Sequence, residues 1–205
     1  MADVSPARGR HLAAWRRAWR AGVAVALGVH AGLCLLATPN VAFGADDTAG
    51  VLERRVKAAL LYRFLNYVEW PEAAQPPAGT PFTIGVVGAD ALAAELADFA
   101  TGKTVLNHPL VVRPLRAGDA ARDVHVLFVA RGESAQTAAI LRNAPANVLV
   151  VTEAEDGLTQ GGVINFILFD GQVRFDVSLE NARRRGLRLS ARLLSVAHLV
   201  LGMPP

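Results

Sequence analysis

The chain alternates between short apolar runs and segments in which apolar residues recur every three or four positions. The apolar runs predict strands at 82–88, within 105–115, at 124–129 and at 147–152. Helical spacing predicts helices at 51–68, 90–99 and 134–141. Because such alternation sets strands side by side with helices on their faces, we predict an α/β fold: three layers, with a mostly parallel sheet flanked by helices.

The first helix is predicted to bury a single apolar stripe. The stripe comprises Leu52, Val56, Ala59, Leu60, Phe64 and Val68. Lys57 lies off it and can pair with Glu53 one turn earlier. We expect Trp70–Pro71 to end the helix, because proline cannot continue the hydrogen-bond ladder, and we expect Ala45–Gly50 to be frayed.

Capping residues and prolines set the predicted boundaries of the next elements. Asp90 and Ser134 each precede a helical run, and both are predicted to be N-caps. Pro109 and Pro114 are expected to limit the second strand, since proline has no N–H for a strand ladder.

The last quarter of the chain predicts an antiparallel pair. Asp170–Gly171, between apolar runs at 163–169 and 173–177, is a two-residue hairpin signal. Ser178 can cap a short helix that ends in Arg183–Arg185, where cations favour the helix dipole, and Gly186 can stop it. Ser190 can cap a final helix with an inward face of Leu193, Leu194, Ala197, Val200 and Leu201.

The first 44 residues have the plan of a removable export signal. Five arginines precede the apolar run Ala21–Ala37, and Ala42-Phe43-Gly44 places small residues before a cleavage point at Ala45. An uncleaved anchor is the alternative, because a run of about 17 residues is the lower limit of a membrane span. We therefore predict a signal peptide at 1–44 and a single domain at 45–205.

Removal of this leader changes the charge and the thiol content. The whole chain has a formal charge of +3, but residues 45–205 hold 16 basic and 17 acidic side chains. Cys34, the single cysteine, lies in the leader. The exported part therefore cannot form an internal disulfide. Because it has no net positive charge and no aromatic platform beside its arginines, it is not predicted to bind nucleic acid.

No residue set predicts catalysis. Ser134 lies in Gly132-Glu-Ser-Ala-Gln136, which is half of a nucleophile elbow and lacks its second glycine, so helix capping is the preferred interpretation. His108, His125 and His198 lie on separate elements without metal-ligand spacing. We predict no metal and no cofactor, and we expect His125 to be a hydrogen-bonded core histidine.

A small-ligand site is an open alternative. Parallel sheets bind ligands beyond the C-terminal ends of their strands. In this chain that edge would be lined by Gly88–Asp90, Arg131–Ser134 and Thr152–Asp156.

Three segments resemble the YfiR family of periplasmic proteins: RVKAALLYRFLNYVEWP (Arg55–Pro71), GGVINFILFDGQVRFDVS (Gly161–Ser178) and RRRGLRLSARLLSVA (Arg183–Ala197). The resemblance extends over about 51–200. It implies a non-catalytic periplasmic regulator that binds and represses an inner-membrane diguanylate cyclase, and so controls cyclic di-GMP and biofilm formation. The alternative is a ligand-binding sensor module that acts with a membrane sensor kinase. The resemblance also implies a homodimer, whereas disulfide-based redox control in the family is not carried over to a part without cysteine.

Two sets of residues are singled out. Positions that match the family pattern, and are expected to serve the fold, are Asn165, Phe166, Arg174, Phe175, Gly186, Ser190 and Leu194. For partner binding we predict Arg184, Arg188 and Arg192, because the planar, multi-donor head of arginine is favoured at interfaces. The alternative for each arginine is an ordinary solvated surface.

Overall fold

Helices and strands alternate through most of the computed structural model, which describes residues 45–119, 121–132 and 134–202. The helices are α1 (Ala45–Phe64), α2 (Asp90–Ala100), α3 (Ser134–Asn143), α4 (Leu179–Arg184) and α5 (Ala191–Leu194). The strands are β1 (Val68–Glu69), β2 (Phe82–Val87), β3 (Thr104–Val105), β4 (His108–Leu115), β5 (Val126–Val129), β6 (Leu149–Thr152), β7 (Ile164–Phe169), β8 (Gln172–Ser178), β9 (Arg188–Leu189) and β10 (Leu199–Leu201). The predicted signal peptide at 1–44 lies outside the described residues.

One mostly parallel sheet organises the domain. Its strand order is β10-β8-β7-β6-β5-β2-β4-β3. The strands β4, β2, β5, β6 and β7 run parallel, β8 returns antiparallel to β7, and β10 runs parallel to β8. The prediction of an α/β fold with a C-terminal hairpin is therefore confirmed. A separate antiparallel pair joins β1 to β9.

The two faces of the sheet carry two apolar clusters. Residues of β2, β5 and β6 that point to one face pack against α1 and α2, whereas alternate residues such as Leu127 and Val150 pack against Leu141 of α3. Because helices cover both faces, these central strands are buried along their whole length, as their unbroken apolar runs predict.

An aromatic cluster joins α1 to the hairpin. The ring of Phe64 stacks on Phe166 with 5.8 Å between centroids, and it meets Phe175 edge-on at 5.0 Å. All three rings are buried. Aromatic pairs in these geometries add to the stabilisation that area burial provides, so the early helix and the late hairpin pack together in one apolar core.

The buried face of α1 differs from the predicted stripe. Leu52 is 63% exposed and Val56 is 37% exposed, whereas Ala58 and Leu61 are buried. Lys57, predicted to lie off the buried face, is only 9% exposed. The stripe is correct at Phe64, which is buried, and at Leu60, which packs against the core. It is wrong at Lys57 because Lys57 pairs with the partly buried Glu153, 96 positions later, and a helix that turns Lys57 inward turns Leu52 and Val56 outward.

The ends of α1 also differ from the prediction. The helix begins at Ala45, so Ala45–Gly50 is helical and not frayed. It ends at Phe64, before Trp70–Pro71, and Val68 belongs to β1, which pairs with β9. A strand pairing more than a hundred positions away stops this helix, and no local feature of the sequence indicates it.

Several of the predicted boundary residues act differently from expectation. Asp90 is the first helical residue of α2, and the capping position is Ala89, which makes no side-chain cap bond. Pro109 and Pro114 lie inside β4 and do not limit it. Since β3 pairs only with His108 and Pro109, most of β4 forms a free edge, where proline is tolerated. Ser134, also predicted as an N-cap, is likewise the first helical residue of its helix, α3.

The C-terminal segment is partly as predicted. Ser178 and Ser190 are the expected caps, because their Oγ atoms accept from the backbone N–H groups of Asn181 at 3.2 Å and of Leu193 at 3.3 Å. The predicted final helix stops after α5, and its remainder is β10. The backbone N–H of His198 donates to the carbonyl of Phe175 at 2.8 Å, which starts a strand pairing where the sequence suggests more helix.

His125 is the hydrogen-bonded histidine that the sequence predicts. Its Nδ1 accepts from the backbone N–H of Thr83 at 3.0 Å, and its ring stacks on Phe82 with 4.3 Å between centroids. Burial, followed by repulsion from His108, lowers the pKa of His125 below 6.5. The folded protein therefore holds this ring neutral.

That lowered pKa predicts a loss of stability in acid. As the pH falls through about 6.5 the unfolded chain protonates first, so the free energy of unfolding falls until the folded-state pKa is also passed. In a His125→Asn variant, whose Oδ1 can still accept from Thr83, we expect a smaller drop in melting temperature between pH 7.5 and pH 5. Parallel melting profiles for the two proteins would contradict this assignment.

Candidate functional site

The three arginines predicted to bind a partner all lie on the surface. The Arg184 side chain at the end of α4 is 69% exposed, and that of Arg188 in β9 is 86% exposed. Arg192 in α5 is also exposed. The segment 184–192 thus presents three guanidinium groups from three consecutive elements, each free to approach another molecule.

Two of these arginines form weak ion pairs within the chain. Arg184 pairs with Glu180 one turn earlier on α4. Arg188 Nε lies 3.6 Å from Glu69 Oε2 on the neighbouring strand β1, and the Glu69 side chain is 68% exposed. Exposed pairs of this kind contribute about 0–1 kcal/mol. A carboxylate from another protein could replace either glutamate at little cost.

Arg185, in contrast, is turned inward. Its guanidinium donates to the carbonyl groups of Leu141, Ala144, Pro145 and Gly161, at 2.9 to 3.4 Å. Leu141 lies in the last turn of α3 and Ala144 just after it, so Arg185 satisfies carbonyls that a helix end leaves unpaired. Burial lowers the pKa of Arg185 below the ordinary value of an arginine. The arginine triplet therefore combines one structural and two exposed members.

A buried ion cluster covers the sheet edge where a ligand site was the alternative prediction. Lys57 Nζ from α1 donates to Glu53 Oε1 at 2.5 Å and also to Glu153 Oε2, just beyond β6. The other oxygen of Glu153 accepts from the backbone N–H of Arg131 at 3.2 Å. The predicted pair of Glu53 and Lys57 is confirmed, and its third member, Glu153, was not predicted.

This cluster keeps Lys57 charged. Burial acts to lower the pKa of Lys57, but the hydrogen bonds and charges of Glu153 and Glu53 together raise it above 10.5. Two of the three segments expected to line a ligand site, Arg131–Ser134 and Thr152–Asp156, thus contribute to holding α1 over the sheet: Glu153 accepts from Lys57, and the backbone N–H of Arg131 fixes Glu153. The third segment stays open to a ligand, because Asp90 lies in the wall of a cavity of about 610 Å³.

The family-pattern residues mostly occupy structural positions. Phe166 and Phe175 are core residues, Ser190 is a helix cap, and Leu194 packs against the core. Gly186 has φ 72°, a backbone conformation that suits glycine after a helix. Arg174 is exposed and donates to Gln172 Oε1 at 2.8 Å.

Asn165 and Asn181 occupy a second polar region near the loop 153–163. Asn181 Nδ2 donates to the carbonyls of Leu158 and Gly162, both at 2.7 Å. Asn165 is 5% exposed, and its Oδ1 has no hydrogen-bond partner within the described structure. Asn181 thereby fixes the loop against α4. The sequence pattern pointed to Asn165 but not to Asn181.

Two features are absent from the described ranges of the chain. Among residues 45–119, 121–132 and 134–202, no group of three or more potential ligands is arranged to hold a metal ion. Over the same part of the chain, no helix has the length and hydrophobicity that crossing a membrane requires.

One comparison with known proteins gives a match. A family model described as YfiR/HmsC-like matches residues 54–198, which is well over half of the chain. No curated protein matches the chain. The matched range contains Lys57 and Glu153 of the ion cluster, the hairpin and all three exposed arginines.

Proposed function

Because the chain belongs to the YfiR/HmsC-like family, we propose that it is a periplasmic regulatory protein that docks on and represses an inner-membrane diguanylate cyclase. Such repression would lower cyclic di-GMP and with it biofilm formation. The observation that carries the proposal is the exposed segment 184–192, where three arginines have at most weak partners. The family is one of regulators and not of enzymes.

The surroundings of the arginines support docking on a protein. Val196 is 63% exposed and Leu199 is 46% exposed, and both follow closely after Arg192 in the chain. Arginine is enriched at protein interfaces, and the fully buried centre of an interface is more apolar than the rest of the surface. We define Arg184, Arg188 and Arg192 as the docking arginines, and propose that they face carboxylates of the cyclase's periplasmic part.

Export is part of the proposal. The leader at 1–44 would deliver residues 45–205 to the periplasm, where the periplasmic part of the cyclase is accessible. A homodimer is proposed as the working unit, and sedimentation of the purified exported part measures this directly.

The docking prediction concerns charge reversal on the surface. Changing the three docking arginines to glutamate should weaken co-purification with the cyclase by at least about tenfold, since like charges at an interface repel. Cellular cyclic di-GMP should rise towards the level of a deletion strain. Because the side chains are exposed, the melting temperature should change little.

A matched control comes from the other end of the sheet. Arg113 is also exposed but lies on β4, at the opposite end of the strand order from β10. Arg113→Glu should leave both co-purification and cyclic di-GMP unchanged. The proposal is wrong if deleting the protein leaves cyclic di-GMP unchanged, and the docking surface is wrong if the triple variant still binds normally.

A further inference from the structure

A cavity of about 400 Å³ opens between the ends of α3 and α4. Its wall includes Arg142 from the last turn of α3, Arg184 and Arg185 from the end of α4, and Thr159 and Gln160 from the loop before β7. Among the residues that the structure describes, no acidic side chain contributes to the wall. The cavity therefore combines three positive charges with a concave shape.

The three arginines contribute in different ways. All the donors of Arg185 face carbonyl groups, so it supplies positive charge but no free N–H. Arg142 has no ion pair within the described ranges, and Arg184 pairs only with the exposed Glu180. Arg142 and Arg184 are thus the two groups whose guanidinium donors remain available to a ligand.

Helix C-termini ordinarily repel anions, because their unpaired carbonyls carry partial negative charge. Here Arg185 offsets much of that negative charge at the end of α3, because it donates to the carbonyls of Leu141 and Ala144. The net field in the cavity is then set by Arg142 and Arg184. A pair of guanidinium groups with free donors favours an oxyanion that each can grip with two hydrogen bonds.

A second observation concerns Gln160, which lies in the same wall. The Oε1 atom of Gln160 is buried and has no hydrogen-bond partner within the described structure. An unpaired buried polar atom costs about 1–3 kcal/mol. Because Oε1 is an acceptor, rotation about the soft terminal torsion of glutamine can offer it to an N–H or O–H group on the body of a ligand, and not to the anionic group itself.

We propose that this cavity binds a small dianionic ligand, of the phosphate monoester or dicarboxylate type, between Arg142 and Arg184. Its volume exceeds that of a bare anion, which leaves space for the rest of a small molecule beside Gln160. Binding displaces Arg184 from Glu180, and that exposed ion pair is weak.

Arg184 belongs both to this cavity and to the docking arginines. Occupation of the cavity therefore removes one guanidinium from the docking surface, and a dianion would weaken binding of the cyclase. This coupling rests on the proposed function, whereas the binding site does not. By linkage, the cyclase would weaken anion binding by the same factor.

The binding test is a titration of the exported part followed by ¹H–¹⁵N NMR. Inorganic phosphate is the probe in one arm and succinate in the other, at ionic strength held constant with sodium chloride. We expect saturable shifts of the backbone amides of Gln160, Gly161 and Arg185 with at least one dianion. The dianion that saturates these shifts at the lower concentration identifies the ligand type.

Matched variants locate the site. Arg142→Gln and Arg184→Gln should each weaken binding about tenfold, the loss expected for one charge-assisted contact. Arg183→Gln removes a neighbouring exposed arginine that does not line the cavity and should leave the affinity unchanged. The proposal is overturned if neither dianion saturates below roughly 10 mM, or if Arg183→Gln weakens binding as much as the other two.

The coupling has its own readout. Co-purification with the cyclase is repeated with the saturating dianion, and the recovered complex should decrease. If NMR shows the site but the complex does not respond, the coupling is wrong and the site remains. If no cyclase binds under any condition, the proposed function fails and the NMR result is unaffected.

Discussion

Replacing Arg185 by methionine is expected to lower the free energy of unfolding by about 3 kcal/mol or more. The variant leaves partly buried carbonyl groups at the end of α3 and at Gly161 without donors, and each lost hydrogen bond contributes about 0.5–1.5 kcal/mol. Methionine keeps much of the apolar stem, so the lost hydrogen bonds dominate the effect. Urea denaturation followed by circular dichroism gives the midpoint and the slope from which the change is calculated.

Arg183 provides the control for this prediction. It lies two positions earlier in the same triplet and is exposed, so Arg183→Met should change stability by less than about 0.5 kcal/mol. Arg185→Lys should fall between the two, because an ammonium group has only three donors and lacks the planar fork. Equal losses for Arg183→Met and Arg185→Met would show that the inward contacts of Arg185 do not stabilise the fold.

The sequence predicts those parts of the fold whose causes are local. The unbroken apolar runs of β2, β5 and β6 identify the buried centre of the sheet, and Asp170–Gly171 identifies the hairpin. The caps at Ser178 and Ser190 are also local, since each serine bonds a backbone group three residues later. Each of these predictions needed no knowledge of distant contacts.

The predictions that were wrong depend on distant partners. Lys57 is buried because Glu153, 96 positions later, accepts from it, and no helical period on α1 can indicate this. The short strand β10 exists because its backbone meets β8, although its own apolar spacing fits a helix. A segment of three residues is too short to establish a hydrophobic period, so a tertiary contact decides its secondary structure.

The same contrast between local and distant causes applies to the candidate site. The pattern drew attention to the arginine-rich segment, and the exposed positions of Arg184, Arg188 and Arg192 agree with a surface role. It could not separate Arg185 from its neighbours, because its carbonyl partners lie more than 20 positions away. Arg142 was not predicted at all, since its relation to Arg184 appears only when α3 and α4 are placed together.

Lys57→Met is the second change with a large expected effect, about 2–4 kcal/mol of lost stability. It leaves Glu53 and Glu153 facing each other without a cation, and breaking a buried pair by removing one partner costs about 3–5 kcal/mol. We expect somewhat less here, because the two glutamate side chains keep 31% and 21% exposure. Arg55→Met is the control on the same helix as Lys57. It removes the exposed ion pair between Arg55 and Glu95 and should lower the free energy of unfolding by less than about 1 kcal/mol.

A double variant separates charge from packing in this cluster. In Lys57→Met/Glu153→Gln the buried carboxylate is gone, but the amide oxygen can still accept from the backbone N–H of Arg131. The double variant should recover at least half of the stability lost in Lys57→Met. The reason is that a charge left without its partner destabilises the fold more than neutral side chains of similar size in the same place. No recovery would mean that Lys57 acts through packing of its stem.

The pH dependence of the same variants provides an independent check. The folded-state pKa of Lys57 is raised above 10.5, so the stability that its pairing contributes is fully present below pH 10.5 and is lost as the pH rises through the folded-state value. The difference in free energy of unfolding between the unmodified protein and Lys57→Met should therefore be constant from pH 7 to about 10 and should decrease at higher pH. A difference that persists unchanged at high pH would exclude the ammonium charge as the cause.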